Sequence, residues 1–492
     1  MSNNIVQPDF SRGEYRPPLR LAPAPVPAEP WSVAPEAAQI PWTVVRELRQ
    51  TVANQVAEWT TVQKPPPDDQ AIRVYGHQVV VTNVREWVNE QMRTGRTAAP
   101  TPELEKEIVD AVFNAAFGLG RLEPLLRNPE IENIEVNGCD QVWLSFADGR
   151  LERGPAIADT DAELISDLQY WASRSGRNLS KLSKPSLHLD LPDGMSRLAA
   201  MIETTRRPAV VIRRHRMVDV TLSDLVRGNM ISEAMAGFLS AAVRSNANIV
   251  VTGPPNAGKT TLLRGMASAI PPMERFATLE TEYELHLDKI GRHPRMLAFQ
   301  AREGNTEQGA DGRPVGRVTL RDLVEDSLRM NFARLIVGEV RGEEIMPMLE
   351  AVSTGGKGSL CTIHANSARD AFERIVSLCL SRAGMNEAFA YRLAAGAITY
   401  VVNVTMIDET LSGNGGQRRR FVDQIVEVAG TGESGRPSFT DVFSPGPDGR
   451  GVPRTRPSRL PILQRAGLDP TWFSGSVGNG GWAVAAERGE LR

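Results

Sequence analysis

Eight consecutive residues, Gly253-Pro254-Pro255-Asn256-Ala257-Gly258-Lys259-Thr260, have the types and spacing of a loop that wraps phosphate. Pro254 and Pro255 carry no N–H, so the cradle reduces to the amides of Asn256, Ala257, Gly258, Lys259 and Thr260. Those amides open a helix, where unpaired donors and the helix dipole both favour an anion. Lys259 would reach the β- and γ-phosphates, and the Thr260 hydroxyl would ligate Mg²⁺. With Gly253 and Thr261 they form the expected set for binding ATP.

The loop needs a strand before it and a helix after it. Asn248-Ile249-Val250-Val251-Thr252 is a short apolar run suited to a buried parallel strand. Leu262, Leu263, Met266 and Ile270 give the following stretch an apolar helical face, and Pro271-Pro272 stops it. In an open parallel sheet, ligands lie beyond the carboxyl ends of the strands, so the polar residues at those ends are the ones to weigh.

Three further strand ends qualify. Leu335-Ile336-Val337-Gly338 ends on Glu339, where a nucleotide hydrolase places a carboxylate toward Mg²⁺. Phe276-Ala277-Thr278-Leu279 ends on Glu280, with Glu282 and Glu284 behind it, and a carboxylate there could orient or deprotonate water. Ser359-Leu360-Cys361-Thr362-Ile363 delivers His364, a candidate sensor of the γ-phosphate. Taken singly, the acidic run reads as a solvated face and the histidine as a locally bonded side chain. Their convergence on one sheet edge favours hydrolysis.

A chain of 492 residues exceeds one ordinary core, so two or three domains plus tails are expected. With 41% hydrophobic and 23% charged residues it has the composition of a globular protein, and no window holds the eighteen apolar residues of a membrane span. The first thirty residues hold scattered charges and no apolar run, which argues against a secretory signal and for a cytoplasmic protein. Cys139, Cys361 and Cys379 are far apart without a C-x-x-C pair, so reduced, buried thiols are expected. A net charge of −3 with interspersed signs is not the footprint of a dedicated nucleic-acid binder, which weakens a DNA-pumping role without excluding it.

Along the chain, eight prolines in the first forty residues predict a disordered Pro-rich tail over 1–40. Apolar residues Val45, Leu48, Val52, Val56 and Trp59 recur at helical steps, and Pro102 follows Thr101 as a helix start does, which predicts a helical bundle over 41–128. An α+β domain is expected over 129–216, and an α/β domain with a parallel sheet over 217–410. Residues 411–492 read as a Gly/Pro-rich segment, mostly tail, with one strand near Phe421–Val428.

Several blocks together resemble the secretion and pilus traffic ATPases of the type II and type IV machines. They are Phe117 to Leu126, Val136-Asn137-Gly138, Leu191-Pro192-Asp193-Gly194, Ile212-Arg213-Arg214, the phosphate loop, Leu279 to Leu285, Val337-Gly338-Glu339-Val340-Arg341-Gly342 and Thr362-Ile363-His364-Ala365-Asn366-Ser367. The first block and Val-Gly-Glu-Val-Arg-Gly are similar to the tight-adherence pilus branch, while the missing C-x-x-C element departs from the zinc-bearing type II branch. The resemblance implies a RecA-like P-loop core behind an N-terminal α+β domain, assembled as a homo-hexamer. ATP and Mg²⁺ would lie between the two domains, completed by arginines that match Arg197 and Arg213 here.

It implies coupling to an inner-membrane platform protein of a pilus or secretion machine, with peripheral membrane contact only through that partner and no specific nucleic acid. A DNA-translocating or conjugation motor shares the same core and is the alternative. Two departures stand out. Thr281 replaces the acid that normally follows Glu280, so its role is lost or moves to Glu282, and Asp190 stands where the branch has an arginine.

Overall fold

The computed structural model describes residues 40–95, 101–146, 149–180, 184–191, 196–214, 219–302, 304, 308–309, 312, 314–354, 357–409, 418–432, 436–474 and 480–482. The tail expected over 1–40 and the Pro192-Asp193-Gly194 part of the turn motif lie outside these residues, Ile40 excepted. Two compact units divide at Gly120 rather than at residue 128.

The first unit holds α1 (Trp42–Val62), α2 (Asp69–Thr94) and α3 (Pro102–Phe117). Asp68 caps α2 by accepting the Ala71 amide at 2.7 Å, and Thr101 caps α3 through the Leu104 amide at 3.3 Å. The helical apolar period becomes a shared core of Val45, Val52, Val56, Val80, Val84, Ile108 and Val112. Trp59 stacks on Tyr75 with ring centroids 4.2 Å apart. Met92, near the end of α2, is exposed.

The second unit opens with α4 (Glu123–Arg127), β1 (Ile131–Asn137), β2 (Val142–Phe146), β3 (Leu151–Arg153), α5 (Asp161–Arg174), β4 (Ser186–Asp190), β5 (Ser196–Met201) and β6 (Ala209–Arg214). These strands form an antiparallel sheet in the order β3-β2-β1-β6-β5-β4. Alternation puts Ile134, Val136, Leu187, Leu198, Val210 and Ile212 on a buried face. The opposite face carries Asp190, Arg197 and Arg213 side by side, because the register pairs Asp190 with Arg197 and Arg197 with Arg213.

The rest comprises α6 (Leu222–Arg227), α7 (Glu233–Arg244), β7 (Ile249–Thr252), α8 (Lys259–Ala267), β8 (Phe276–Glu280), β9 (Leu297–Gln300), α9 (Leu320–Ser327), β10 (Arg334–Val337), α10 (Ile345–Thr354), β11 (Leu360–Ile363), α11 (Ala368–Ala383) and α12 (Glu387–Ala397). It closes with β12 (Tyr400–Asp408), β13 (Arg418–Thr431), β14 (Pro437–Pro445), β15 (Gly451–Pro453) and α13 (Leu460–Arg465). A nine-stranded sheet runs β15-β14-β13-β12-β7-β11-β10-β8-β9, parallel from β12 to β9 and antiparallel from β12 to β15.

Its central strands are buried on both faces, which is why they read as continuous apolar runs. Ile249, Val251, Ile336 and Leu360 enter one core, while Val250, Val337, Cys361 and Ile363 enter the other. The loop-bearing β7 and the Glu339-bearing β10 are separated by β11, the order of a RecA-like P-loop fold. The three cysteines are buried free thiols.

The segment after residue 411 differs from the one-strand tail that its composition suggests. Phe421, Val422, Ile425, Val426, Val442 and Phe443 are buried on β13 and β14. Glu427, 1% exposed, accepts the Ser458 amide at 2.6 Å and its hydroxyl at 2.9 Å, fastening the chain beyond β15 to the sheet. The intervening Gly, Pro and Arg residues dilute these short apolar runs in any windowed reading of composition.

Candidate nucleotide site

The phosphate loop leaves β7 at Gly253, whose φ is +145°. A Cβ there would sit 2.2 Å from the Val404 carbonyl oxygen of β12, so only glycine fits. Asn256 (φ +61°) and Gly258 (φ +95°) turn the chain into α8, which starts at Lys259 with Thr260 and Thr261 in its first turn. Ala257 is fully buried beneath the loop.

Lys259 is 7% exposed, and its ammonium donates to the carbonyls of Gly253 at 3.0 Å and Pro254 at 2.8 Å. The same Nζ lies 3.1 Å from His364 Nδ1. An ammonium only donates, so Nδ1 accepts and the imidazole proton belongs on Nε2. That nitrogen lies 2.9 Å from Glu339 Oε1, a buried oxygen that makes no hydrogen bond among the described residues. Burial depresses the His364 pKa and the Lys259 charge adds to it, in keeping with a neutral ring. Burial also lowers the Lys259 pKa to about 8, against the opposing pull of Glu339 and Glu284. The ends of β7, β11 and β10 thus bring Lys259, His364 and Glu339 into one chain of contacts.

Glu280, at the end of β8, is 2% exposed. Its Oε2 accepts the amides of Glu284 at 2.7 Å and Leu285 at 2.8 Å, curling the acidic run around it. Its Oε1 is buried and has no hydrogen-bond partner among the described residues. Burial raises the Glu280 pKa to about 7, outweighing the two amides. Arg264 of α8, itself 2% exposed, donates to the Glu284 carbonyl and to the Leu285 carbonyl at 3.2 Å, tying the run to the phosphate-loop helix.

The two downstream acids divide their work. Glu284 Oε2 accepts from the Thr260 hydroxyl at 3.3 Å, while Glu282 pairs with Arg197 and lies 3.5 Å from His188 Nδ1. The acid that contacts the expected Mg²⁺ ligand Thr260 is therefore Glu284, whereas the sequence left the role of the second acid either lost or moved to Glu282. Peptide geometry explains it, since the bonds from Glu280 to the 284 and 285 amides turn residue 284 back toward α8.

Arg197 and Arg213 project from one face of β5 and β6, but their contacts differ. Arg197 pairs with Glu282 and Glu284 and lies 3.6 Å from Asp190, so it engages acids and not the loop. Asp190 also accepts from Gln300 Nε2 at 3.2 Å. Arg213 donates to the Asn256 side-chain oxygen at 2.7 Å. Two arginines that sequence reasoning left out belong here as well. Arg341 pairs with Glu339, and Arg420 of β13 donates to the Asn256 carbonyl at 2.8 Å. Arg341 sits inside a quoted motif, whereas Arg420 carries no local signal because only β13 pairing brings it to the loop.

The residues present fit a nucleoside triphosphate and a hard divalent cation. A glycine cradle, a free helix start and a recessed ammonium suit phosphates. A hydroxyl on Thr260 with carboxylates on Glu339 and Glu284 suits an oxygen-seeking ion such as Mg²⁺. Glu280 lines a cleft together with Arg197, Thr281, Glu284, Glu339 and Arg341, and its Oε1 is buried without a hydrogen-bond partner among the described residues.

Comparison with known proteins identifies the family. The family model described as "Type II/IV secretion system protein" matches residues 159–437. A Mycobacterium tuberculosis protein that carries a provisional conjugal transfer name is 31% identical over 295 residues, 58% of this chain and 80% of the relative. The type IV secretion system protein PtlH of Bordetella pertussis is 28% identical over 339 residues, 64% of this chain and 95% of the relative. The crystal structure of the VirB11 ATPase from the Brucella suis type IV secretion system aligns at 24% identity with a TM-score of 0.32, covering 64% of this chain and 97% of that one. The chain belongs to the type II/IV secretion system protein family.

Proposed function

We propose that the protein is a Mg²⁺-dependent ATPase that works as a homo-hexameric motor for pilus assembly or protein secretion. The observation that carries this reading is the contact chain Lys259–His364–Glu339, which spans three neighbouring strand ends at the mouth of the phosphate loop. Lys259 and the amides from Asn256 to Thr260 bind and orient the phosphates. Thr260 and Glu339 would hold Mg²⁺, which when bound would supply positive charge against the phosphates. Glu280, with its raised pKa and unpartnered oxygen, is the group that takes a proton from water. His364 stays neutral and reports the phosphate through Lys259 on one side and Glu339 on the other. Arg197 and Arg213 complete the site from the N-terminal sheet, Arg197 once released by Glu282 and Glu284.

The hexamer, the inner-membrane platform as partner and a peripheral cytoplasmic location follow from the family resemblance. No helix among the described residues is long and apolar enough to cross a membrane, which suits peripheral attachment. The motifs favour the tight-adherence pilus branch, whereas the conjugal transfer name of the M. tuberculosis relative supports a conjugation motor as the second reading.

Steady-state ATP hydrolysis by the purified chain, with and without DNA at low and high salt, tests both. Turnover that requires Mg²⁺ and ignores DNA is expected. Strong DNA stimulation lost at high salt would move the assignment to conjugation, and unchanged turnover in Lys259→Ala would sink the ATPase reading.

A further inference from the structure

The reading above places phosphate contacts on the P-loop and on the N-terminal sheet. The C-terminal hairpin of β12 and β13 also forms the wall behind the loop. Val404 of β12 sets its carbonyl oxygen against Gly253. Val422 of β13 donates its amide to the Met230 carbonyl at 2.8 Å, and the Met230 side chain and the Arg420 Cδ are the atoms closest to a Cβ built on Gly258. Arg420 then donates its Nε–H to the Asn256 carbonyl at 2.8 Å, with Glu132 of β1 3.9 Å from its Nη2. Asn256 is held at both oxygens, by Arg213 on the side chain and by Arg420 on the main chain.

We infer that Arg420 is a positioning residue of the phosphate loop, which turns the Asn256–Ala257 peptide so that the Ala257 amide faces the bound phosphate. The inference rests on the ATP-binding reading of the loop. Its physics is that of a planar trans peptide, whose C=O and N–H point in opposite directions. Drawing the Asn256 oxygen outward aims the Ala257 N–H inward. That N–H now makes only a long contact, 3.4 Å, to the Pro254 carbonyl, so it is available for a stronger acceptor. The two prolines leave the cradle few amides, which makes each one's aim matter more. Residue 256 holds a left-handed backbone (φ +61°), which asparagine adopts more readily than other non-glycine residues.

The test is ADP·Mg²⁺ binding by calorimetry on the full chain, for wild type, Arg420→Ala, Arg420→Lys and Arg419→Ala. Arg419 is the adjacent residue on the other face of β13, paired with Glu409 at 3.9 Å. Loss of a charge-assisted hydrogen bond should weaken ADP binding in Arg420→Ala by about tenfold or more. Arg420→Lys should recover part of it, and Arg419→Ala should bind like wild type. KM for ATP should rise in Arg420→Ala while kcat at saturation holds, because the contact serves ground and transition states alike. The melting temperature without nucleotide should stay at the wild-type value.

Wild-type affinity in Arg420→Ala, or an equal loss in Arg419→Ala, overturns the inference while leaving the loop as the nucleotide site. A lowered melting temperature matching the lost affinity assigns Arg420 to fold stability and overturns it too. A wild-type chain that binds no ADP overturns the functional reading, and this inference with it.

Discussion

Lys259 Nζ lies 3.1 Å from Nδ1 of His364, so a buried ammonium and an imidazole share a contact in which the ring can only accept. Burial lowers the Lys259 pKa to about 8. A phosphate placed beside the ammonium favours the charged form and raises that pKa. ADP binding near pH 8.5 is therefore expected to take up a fraction of a proton, and the lysine's share should vanish near pH 6.5, where it is already protonated. Calorimetry in two buffers of different ionisation enthalpy measures it. Lys259→Arg, which stays charged throughout, should lose the uptake.

Glu339→Gln should keep nucleotide binding and lower kcat by at least about 100-fold, the usual weight of a group acting on the reacting centre. The amide also removes the negative partner of Arg341 and of the His364 Nε2 face. Equilibrium binding of a fluorescent nucleotide beside single-turnover hydrolysis separates the two effects.

For Glu280, burial raises the folded pKa from 4.5 to about 7. Between those values the folded chain holds a proton that the unfolded chain has released, so the contribution to stability falls as pH rises through the window. The lost stability reaches roughly 3 kcal/mol above pH 7. Glu280→Gln is expected to flatten that part of the urea-midpoint profile of the nucleotide-free protein, while ATP turnover drops. A mutant profile parallel to wild type would contradict the burial argument.

Arg334 is 1% exposed at the start of β10 and pairs with both oxygens of Glu274 while donating to the carbonyls of Val243 and Gly358. Arg334→Met removes one partner and leaves the Glu274 carboxylate and the carbonyls unanswered. Such a break costs about 3–5 kcal/mol. The urea midpoint should fall accordingly, with most of the loss in the second compact unit.

Much of the candidate site was legible because its signals are local. An apolar run four or five residues long followed by Glu280, Glu339, His364 or the glycine loop can be read from neighbours in the chain, and a parallel sheet then gathers them on one edge. Thr101 and Pro102 mark the start of α3 for the same reason. What stayed hidden depends on pairing between distant segments. Arg420 reaches Asn256 only because β13 lies against β12, and Arg264 reaches the acidic run only because residues 284 and 285 fold back on Glu280. Neither relation leaves a pattern within its own few residues. The choice of Glu284 over Glu282 beside Thr260 was lost likewise, since it turns on two backbone amides and not on residue type.

The bond between β7 and β12 has a mechanical meaning. Hydrogen bonds link neighbouring strands all the way from β9 through the phosphate-loop strand to β15, with bulges in the β12–β13 and β13–β14 ladders. A shift of the β12–β13 hairpin would therefore reach Gly253 through the carbonyl of Val404, which leaves no room for a Cβ there.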